Sequence, residues 1–324
     1  MRAAFHEEQG GRDVLRIGEL PDAVPGPGEV LVRAYASSLD RVDIYFRSGS
    51  HGMRIRGPHI GGRDVAGTVE EIGPAASGSP AFEIGQPVVG LAVRSAHAEL
   101  VAVPAELLFP LPAHYSFEQA AAVPTAGRTA YDGLIHRGHL TPGEDVLIIA
   151  GGSGVGSFGI QIARAAGARV IATVGAPWKG VLARALGAAD VIDHHAEEVA
   201  ARVGALTGGR GVDVVLDPVG AATFPAALNS LRRDGRYVTT GVTAGHRADL
   251  HLGRVFERGL TVTGVGRPDN QRIREVMLRL LALVASGDVT PAVHAVLPLE
   301  RIAEGHALLE NSAVFGKVVL TLVP

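Results

Sequence analysis

The glycine-rich segment Ala150-Gly151-Gly152-Ser153-Gly154-Val155-Gly156 could carry chemistry of a definite kind. It follows a continuous apolar run, Val146 to Ala150. It precedes a stretch in which Val155, Phe158, Gly159, Ile162, Ala163 and Ala166 fall on one helical stripe. Small residues there let the backbone turn tightly and approach a pyrophosphate. The first turn of the helix supplies N–H donors and the positive end of its dipole. The strict G-x-G-x-x-G spacing fits only from Gly154 to Gly159, a little late. The earlier register, Gly151 to Gly156, has Ser153 where the middle glycine would fall. A structural turn is the alternative; the strand before and the helix after favour nucleotide binding.

The choice of dinucleotide is read from charge. NAD sites usually place a carboxylate about 20 residues beyond the loop to hold the ribose 2′-hydroxyl. Between Asp145 and Asp190 the chain has no acidic residue, whereas Arg164, Arg169, Lys179 and Arg184 all lie there. Lys179 can reach a 2′-phosphate and Gly175 leaves room for it, so NADPH is expected. The alternative for Lys179 is a solvated lysine at a helix start. His194 and His195 are adjacent, and neighbours on a loop rarely face one ion, so no metal is expected there. Cysteine is absent, which removes disulfides, thiolate nucleophiles and Cys-ligated zinc.

These residues need elements to position them. The length, 324 residues, is comfortable for two domains. The net charge is −3, from 30 Lys and Arg against 33 Asp and Glu, without a basic block, so nucleic acid is not expected as a partner. The first residues, Met1 to Glu8, carry no apolar leader and no long uncharged apolar run follows. A cytoplasmic location away from the membrane is the default. Residues 1 to about 110 read as short strands: Glu29 to Tyr35 and Thr68 to Gly73 alternate, with Pro and Gly between segments, as in a compact barrel. Gly73 to Pro80 reads as a surface loop. From Asp145 strands alternate with helices: Val146–Ala150, Arg169–Val174, Asp190–Asp193, Val212–Leu216, Arg236–Thr240 and Leu260–Thr263 make six strands of a parallel sheet. Helices after Gln271 and over Glu300 to Glu310 lead to a closing strand, Lys317 to Val323, which predicts that the tail returns to the first domain.

The runs Asp40 to Gly49, Gly62 to Gly67, Ala120 to Tyr131, the glycine loop, Asp217 to Gly220 and Gly316 to Leu320 carry a likeness over essentially the whole chain. The chain resembles the medium-chain dehydrogenase/reductase superfamily, in its zinc-free quinone oxidoreductase (zeta-crystallin-like) branch. The resemblance implies an α/β chain: a GroES-like, β-barrel-type substrate domain plus a Rossmann doubly wound parallel sheet of six strands. Boundaries are expected at 1–117, 118–265 and 266–324. The positions that hold catalytic zinc in zinc-dependent members are Asp40, Arg63 and Thr125, with Asp64 where those members carry Glu. A guanidinium and a hydroxyl do not replace imidazole and thiolate as zinc ligands.

By the same resemblance Thr129 lies near the nicotinamide ring and Gly151, Gly152, Ser153, Gly154, Val155 and Gly156 lie under the pyrophosphate. Gly175 and Lys179 fall at the 2′-phosphate, and His194 falls against the adenosine end. Gly241, Val242, Thr263, Gly264 and Val265 hold the carboxamide and ribose. Asp40, Asp43 and Tyr45 surround nicotinamide and substrate. Two departures concern the substrate: Asp40 stands where the branch usually has Asn, and His51 is close to a second Tyr position.

The reaction this implies is hydride delivery to a quinone or an α,β-unsaturated carbonyl, with a donor for the carbonyl oxygen. Tyr45 is the preferred donor, with interface packing as its alternative role. His51 is a second proton source, and solvent a third. Asp40 and Asp43 are expected to pair with Arg41, Arg47 or Arg63, a structural role for Asp43 above all. Competing readings are a zinc-free alcohol dehydrogenase-like or enoyl thioester reductase, and a non-catalytic NADPH-binding sensor or structural protein. Relatives imply a homodimer, for which Leu260 to Val265 is a plausible edge strand.

Overall fold

The computed structural model describes residues 1–74 and 81–322; residues 75–80 of the expected surface loop, and Val323 at the end of the expected closing strand, lie outside them. The chain opens with β1 (Arg2–His6), β2 (Arg16–Glu19), β3 (Glu29–Leu39), α1 (Arg41–Ser48), β4 (His59–Ile60) and β5 (Asp64–Ile72). It continues through β6 (Pro87–Leu91), β7 (Leu100–Pro104), β8 (Leu108–Pro110), α2 (Phe117–Ala121) and α3 (Pro124–Tyr131). The middle alternates through β9 (Asp145–Ile148), α4 (Gly154–Ala165), β10 (Arg169–Val174), α5 (Pro177–Ala185), β11 (Asp190–Asp193) and α6 (Val199–Leu206). Next come β12 (Val212–Asp217), α7 (Phe224–Ser230), β13 (Leu231–Thr239), α8 (Leu252–Arg258) and β14 (Thr261–Gly264). The end comprises α9 (Asn270–Ala285), β15 (Val293–Pro298), α10 (Ile302–Glu310) and β16 (Lys317–Thr321).

Two compact units result: Met1–Thr125 with Asp269–Leu281 and Pro291–Pro324, and Ala126–Pro268 with Ala282–Thr290. In the first, β3 is the organising strand. Along one edge its residues 29–33 pair with β7 and its residues 36–39 with β16, while β5 pairs along the other. The ladder to β5 slips at Leu31/Val32 and Ala34/Ala36, and these bulges let one strand serve three neighbours. The C-terminal strand β16 lies antiparallel on β3, so the tail does return to the N-terminal unit. Val30, Val32, Leu39, Val65, Val69, Val88, Val318 and Leu320 fill its core.

In the second unit the described residues form six parallel strands in the order β11-β10-β9-β12-β13-β14. The order reverses between β9 and β12, the switch point at which open α/β sheets bind ligands beyond the strand C-termini. β9 and β12 are buried along their whole length, which is why β9 reads as an unbroken apolar run and β12 is mostly apolar. β13 begins at Leu231, earlier than the expected Arg236, with Asp234 at φ 59 inside it.

The reading of residues 1–110 carried no helix at 41–48, yet α1 stands there. Its signals were present: a capping box joins Asp40 and Asp43, and Gly49 ends the helix at φ 71. Among the described residues no helix is long and apolar enough to cross a membrane.

Gly67 sits at the second slip of the β3–β5 ladder, where an added Cβ would lie 2.0 Å from the Arg33 carbonyl oxygen. Gly67→Ala is therefore expected to destabilise the protein by about 2 kcal/mol or more, read as a lower urea midpoint. An unchanged midpoint would mean that β3 can retreat from β5 at no cost.

Candidate functional site

The loop after β9 is built by close backbone approach. Ala150 takes φ 53, and its N–H bonds Thr173 Oγ1 at 3.0 Å while the Gly151 N–H bonds the Thr173 carbonyl at 2.8 Å. An added Cβ on Gly156 would lie 2.2 Å from the Ala150 carbonyl oxygen, so the chain doubles back only because that residue is glycine. Ser153 explains its place in the motif: it is the N-cap of α4, its Oγ accepting the Gly156 N–H at 2.9 Å. Gly159 lets α4 approach Leu216 on β12, where a Cβ would come within 3.0 Å. Gly151 to Gly156 thus form a strand–turn–helix cradle with the α4 N-terminus at its centre.

Gly175 and His194 meet where β10 and β11 end, and Lys179 follows in the first turn of α5. His194 donates from Nδ1 to the Val174 carbonyl at 2.7 Å, which lays its ring against Gly175; a Cβ there would be 2.9 Å from the ring. The Lys179 ammonium lies 5.3 Å from the Trp178 ring centre. Asp193 is opposite Val174 in register, but its Oδ1 accepts the His195 N–H at 3.0 Å and caps its own turn. The His194 and His195 rings lie beside one another, centres 4.2 Å apart.

Beyond β12 and β13, two turns pack backbone on backbone. A Cβ on Gly241 would be 2.5 Å from the Pro218 carbonyl oxygen, and one on Gly220, at φ 90, 2.6 Å from that of Gly245. Asp217 organises this end: fully buried, it accepts the N–H groups of Val219 (2.7 Å) and Gly220 (3.1 Å) and the hydroxyls of Thr223 (2.7 Å) and Tyr237 (2.9 Å). Burial, reinforced by Asp217, pushes the Tyr237 phenol far up, so it remains a donor. Val242 follows Gly241, and Thr263 and Gly264 end β14, with the Val265 N–H bonded to the Thr239 carbonyl at 3.2 Å. Thr129 is buried on α3, one turn before Gly133, which packs on Leu216, Thr240 and Val265. The residues expected to hold a dinucleotide therefore collect at the C-terminal ends of the parallel strands.

The other candidates belong to the first unit and fall into two groups. Tyr45, on α1, packs against His51 with ring centres 4.1 Å apart and planes tilted by 35°; both are half-buried, and His51 takes φ 57. Asp40 instead joins a buried ionic cluster. The ammonium of Lys317, 3% exposed, bonds Asp40 Oδ1 at 2.5 Å and lies 3.5 Å from Asp64 Oδ2. Asp64 also accepts from Ser38 Oγ (2.7 Å) and from the Thr125 N–H (2.9 Å) and hydroxyl (2.5 Å). Burial raises the Asp40 carboxyl to about 6 despite Lys317, and Asp40 and Asp64 hold the ammonium above its ordinary value although burial opposes them.

These pairings correct the expected ones. Asp40 pairs with Lys317, 277 residues away, and Asp43 faces His97 at 3.7 Å while accepting the N–H groups of Asp40 (2.8 Å) and Gly62 (2.9 Å). Although burial opposes it, those donors hold the Asp43 carboxyl well below the usual range. Arg41 bonds Ser312, Arg47 bonds His306 and Glu310, and Arg63 is exposed. Nothing local to residues 40–47 announces Lys317, His97 or His306. The closing of β16 on β3 brings in Lys317, the packing of α10 brings in His306, and backbone bonds to Ala4 and Gly61 seat His97.

His306 gives the first unit a pH dependence. Burial, aided by Arg47, lowers it to about 4, whereas the unfolded chain takes up this proton near 6.5. Stability present above 6.5 is therefore lost as pH falls toward 4. His6 and His59, also lowered by burial, act in the same direction. Asp40 acts in the opposite sense between 3.8 and about 6, where the folded protein holds the extra proton. The three histidines outnumber it, so the urea midpoint is expected to fall between about pH 7 and about pH 5. His306→Gln, which keeps an acceptor for Arg47, should reduce that fall; an identical profile would remove His306 from the account.

Comparison with known proteins agrees with this architecture. The alcohol dehydrogenase GroES-like domain family matches residues 26–113, and the zinc-binding dehydrogenase family matches residues 154–282. A quinone oxidoreductase of Pseudomonas aeruginosa is 34% identical, covering 96% of each chain. The structure of Escherichia coli quinone oxidoreductase complexed with NADPH superposes with a TM-score of 0.90 at 32% identity, over 99% of this chain and 100% of that one. The structure of an NAD-dependent alcohol dehydrogenase also reaches 0.90, at 36% identity and complete coverage of both chains. The zinc of the second family's description does not fit here. The Lys317 ammonium lies between the Asp40 and Asp64 carboxylates, Arg63 points a cation to solvent, and Thr125 is bonded to Asp64. With a doubly wound sheet, a GroES-like partner unit and relatives of this identity along its whole length, the chain belongs to the quinone oxidoreductase branch of the medium-chain dehydrogenase/reductase superfamily.

Proposed function

We propose that this protein is a metal-independent reductase that uses NADPH to reduce quinones or α,β-unsaturated carbonyls. The observation that carries the reading is the end of β10: Gly175 stands where an NAD site would place a carboxylate, the His194 ring packs against it, Lys179 follows in the first turn of α5, and the nearby Asp193 carboxylate is turned into its own loop. A ribose 2′-hydroxyl would want that carboxylate free, whereas a 2′-phosphate wants the lysine. The cradle fits the rest of the molecule. The α4 N-terminus and Gly151 to Gly156 would hold the pyrophosphate, and Thr129, Gly241, Val242, Thr263, Gly264 and Val265 the nicotinamide and its ribose.

NADPH supplies the hydride. The chain's own contribution is orientation and a donor for the carbonyl oxygen, on which negative charge develops. Tyr45 is the donor from its phenol, with the His51 ring packed beside it as the second source of a proton. Support comes from relatives named as quinone oxidoreductases and from the NADPH complex of one of them. The NAD-dependent alcohol dehydrogenase structure favours a second cofactor reading, which the same assay separates.

Oxidation of NADPH should proceed with 1,4-benzoquinone, 9,10-phenanthrenequinone or short enones, and faster than with enoyl-CoA. Lys179→Ala should weaken NADPH binding about tenfold and leave NADH binding unchanged. Turnover of none of the quinones or enones, or a wide preference for NADH in the wild type, would sink the proposal.

We infer in addition that two copies pair through β14. Val262 on this edge strand is 41% exposed, and Leu252 and Phe256 on the adjoining α8 are 71% and 88% exposed. Sedimentation should show a dimer that Phe256→Asp converts to monomer; a monomeric wild type would refute it.

A further inference from the structure

Lys317 stands at the centre of a buried ionic cluster for which the chemistry above has no use. It stands at the start of β16, 3% exposed, and its ammonium contacts carboxylates from two other places in the fold. Asp64 begins β5, and Asp40 precedes α1. The two acids are not equally served. Asp64 collects three further hydrogen bonds, from Ser38 Oγ and from the Thr125 N–H and hydroxyl. Asp40 has Lys317 on Oδ1, while its Oδ2 is buried without a hydrogen-bond partner. The lysine thus joins the Asp43 N–H of the α1 capping box in restraining the Asp40 side chain.

Asp40 in turn begins the helix that carries Tyr45. Its N–H bonds Asp43 Oδ2 at 2.8 Å, and the two residues close the capping box of α1. A chain of short contacts therefore runs from the last strand of the protein to the first turn of α1, one turn before Tyr45.

We propose that Lys317 is a positioning residue for the reduction, holding Asp40 and with it the start of α1, so that Tyr45 stands where it serves the carbonyl oxygen. The proposal rests on the reductase reading above. Lys317 need not touch substrate or cofactor; it acts through the place of α1. A buried ammonium suits that task because its two carboxylates come from separate elements, the cap of α1 and the start of β5, and cannot be satisfied by solvent. Displacement of a reacting group by about 1 Å costs on the order of a hundredfold in rate.

The test compares wild type, Lys317→Met and Lys317→Arg in NADPH-dependent quinone reduction. NADPH affinity is followed by fluorescence, and amide hydrogen exchange by mass spectrometry. Lys317→Met is expected to lower kcat about a hundredfold, with the KM for quinone and the Kd for NADPH within about twofold of wild type. Exchange should rise over residues 41–48 and not over β6. Lys317→Arg, which keeps the charge, should recover a large part of kcat. Loss of a buried charge partner should also lower the melting temperature by about 10 °C. If Lys317→Met does not fold, Asp40→Asn with and without Lys317→Met makes the same comparison without the stranded carboxylate.

A folded Lys317→Met variant with wild-type kcat overturns the proposal. So does a loss shared equally among kcat, NADPH affinity and exchange throughout the unit, the mark of a merely structural lysine. If the wild type itself reduces no quinone or enone, the reductase reading is what fails. Exchange over residues 41–48 then decides the lysine: faster exchange in Lys317→Met upholds its hold on α1, and unchanged exchange removes it.

Discussion

An ammonium removed from water is tolerated only where carboxylates meet it at hydrogen-bond distance, and much of the first unit's polar interior follows from satisfying one such group. Lys317 is met by Asp40 at 2.5 Å, with Asp64 at 3.5 Å. Two carboxylates to one ammonium leaves an excess of negative charge. The fold spreads it by aiming the Ser38 hydroxyl and the Thr125 N–H and hydroxyl at Asp64. Asp40 lacks such help, and it is the carboxyl that burial pushes up to about 6. The contrast with Asp43 is instructive. That acid is just as enclosed, but two backbone N–H groups and His97 outweigh burial and hold it low. Donor count, rather than depth, separates the two.

The second unit is governed by a different constraint, the closeness of backbone to backbone. Gly156 against Ala150, Gly241 against Pro218 and Gly220 against Gly245 are all contacts in which a Cβ would fall 2.2 to 2.6 Å from a carbonyl oxygen. Each lies beyond the end of a central strand, where the sheet's order reverses. Glycine removes side chains from that rim and leaves N–H groups and a helix N-terminus facing outward, the surface an anionic dinucleotide needs. Ser153 shows that the motif is a matter of geometry rather than lettering. It stands at a glycine position because an N-cap hydroxyl completes the same turn.

The two units thus divide the chemistry by kind. In the function proposed, one binds through main chain and one lysine. The other holds side chains that can donate or carry protons. Ionic groups in the first unit are tied to each other and to backbone, so their protonation is coupled to folding. His306, kept neutral beside Arg47, is the plainest case.

Much of this was legible in the residues. The six strands of the parallel sheet could be read from their alternation with helices, and β9 also from an unbroken apolar run, because burial on both faces removes the need for polar alternation. The strand–turn–helix of the glycine loop could be read because it depends on local backbone geometry, and the role proposed for Lys179 rests on nearby charge. Helix α1 could have been read too: Asp40, Asp43 and Gly49 are its cap signals, passed over amid short strands. The ionic partners could not. Asp40 has three arginines within reach in sequence, Arg41, Arg47 and Arg63, and pairs with none of them. Its partner arrives 277 residues later on β16, and His306 comes to Arg47 from 259 residues away, while His97 comes to Asp43 from a separate segment of the N-terminal unit. Periodicity and turn chemistry are properties of neighbouring residues, so the sequence by itself determined the elements and the phosphate loop. Which charges share a buried space depends on strand pairing across the whole chain, and that only the tertiary structure decided.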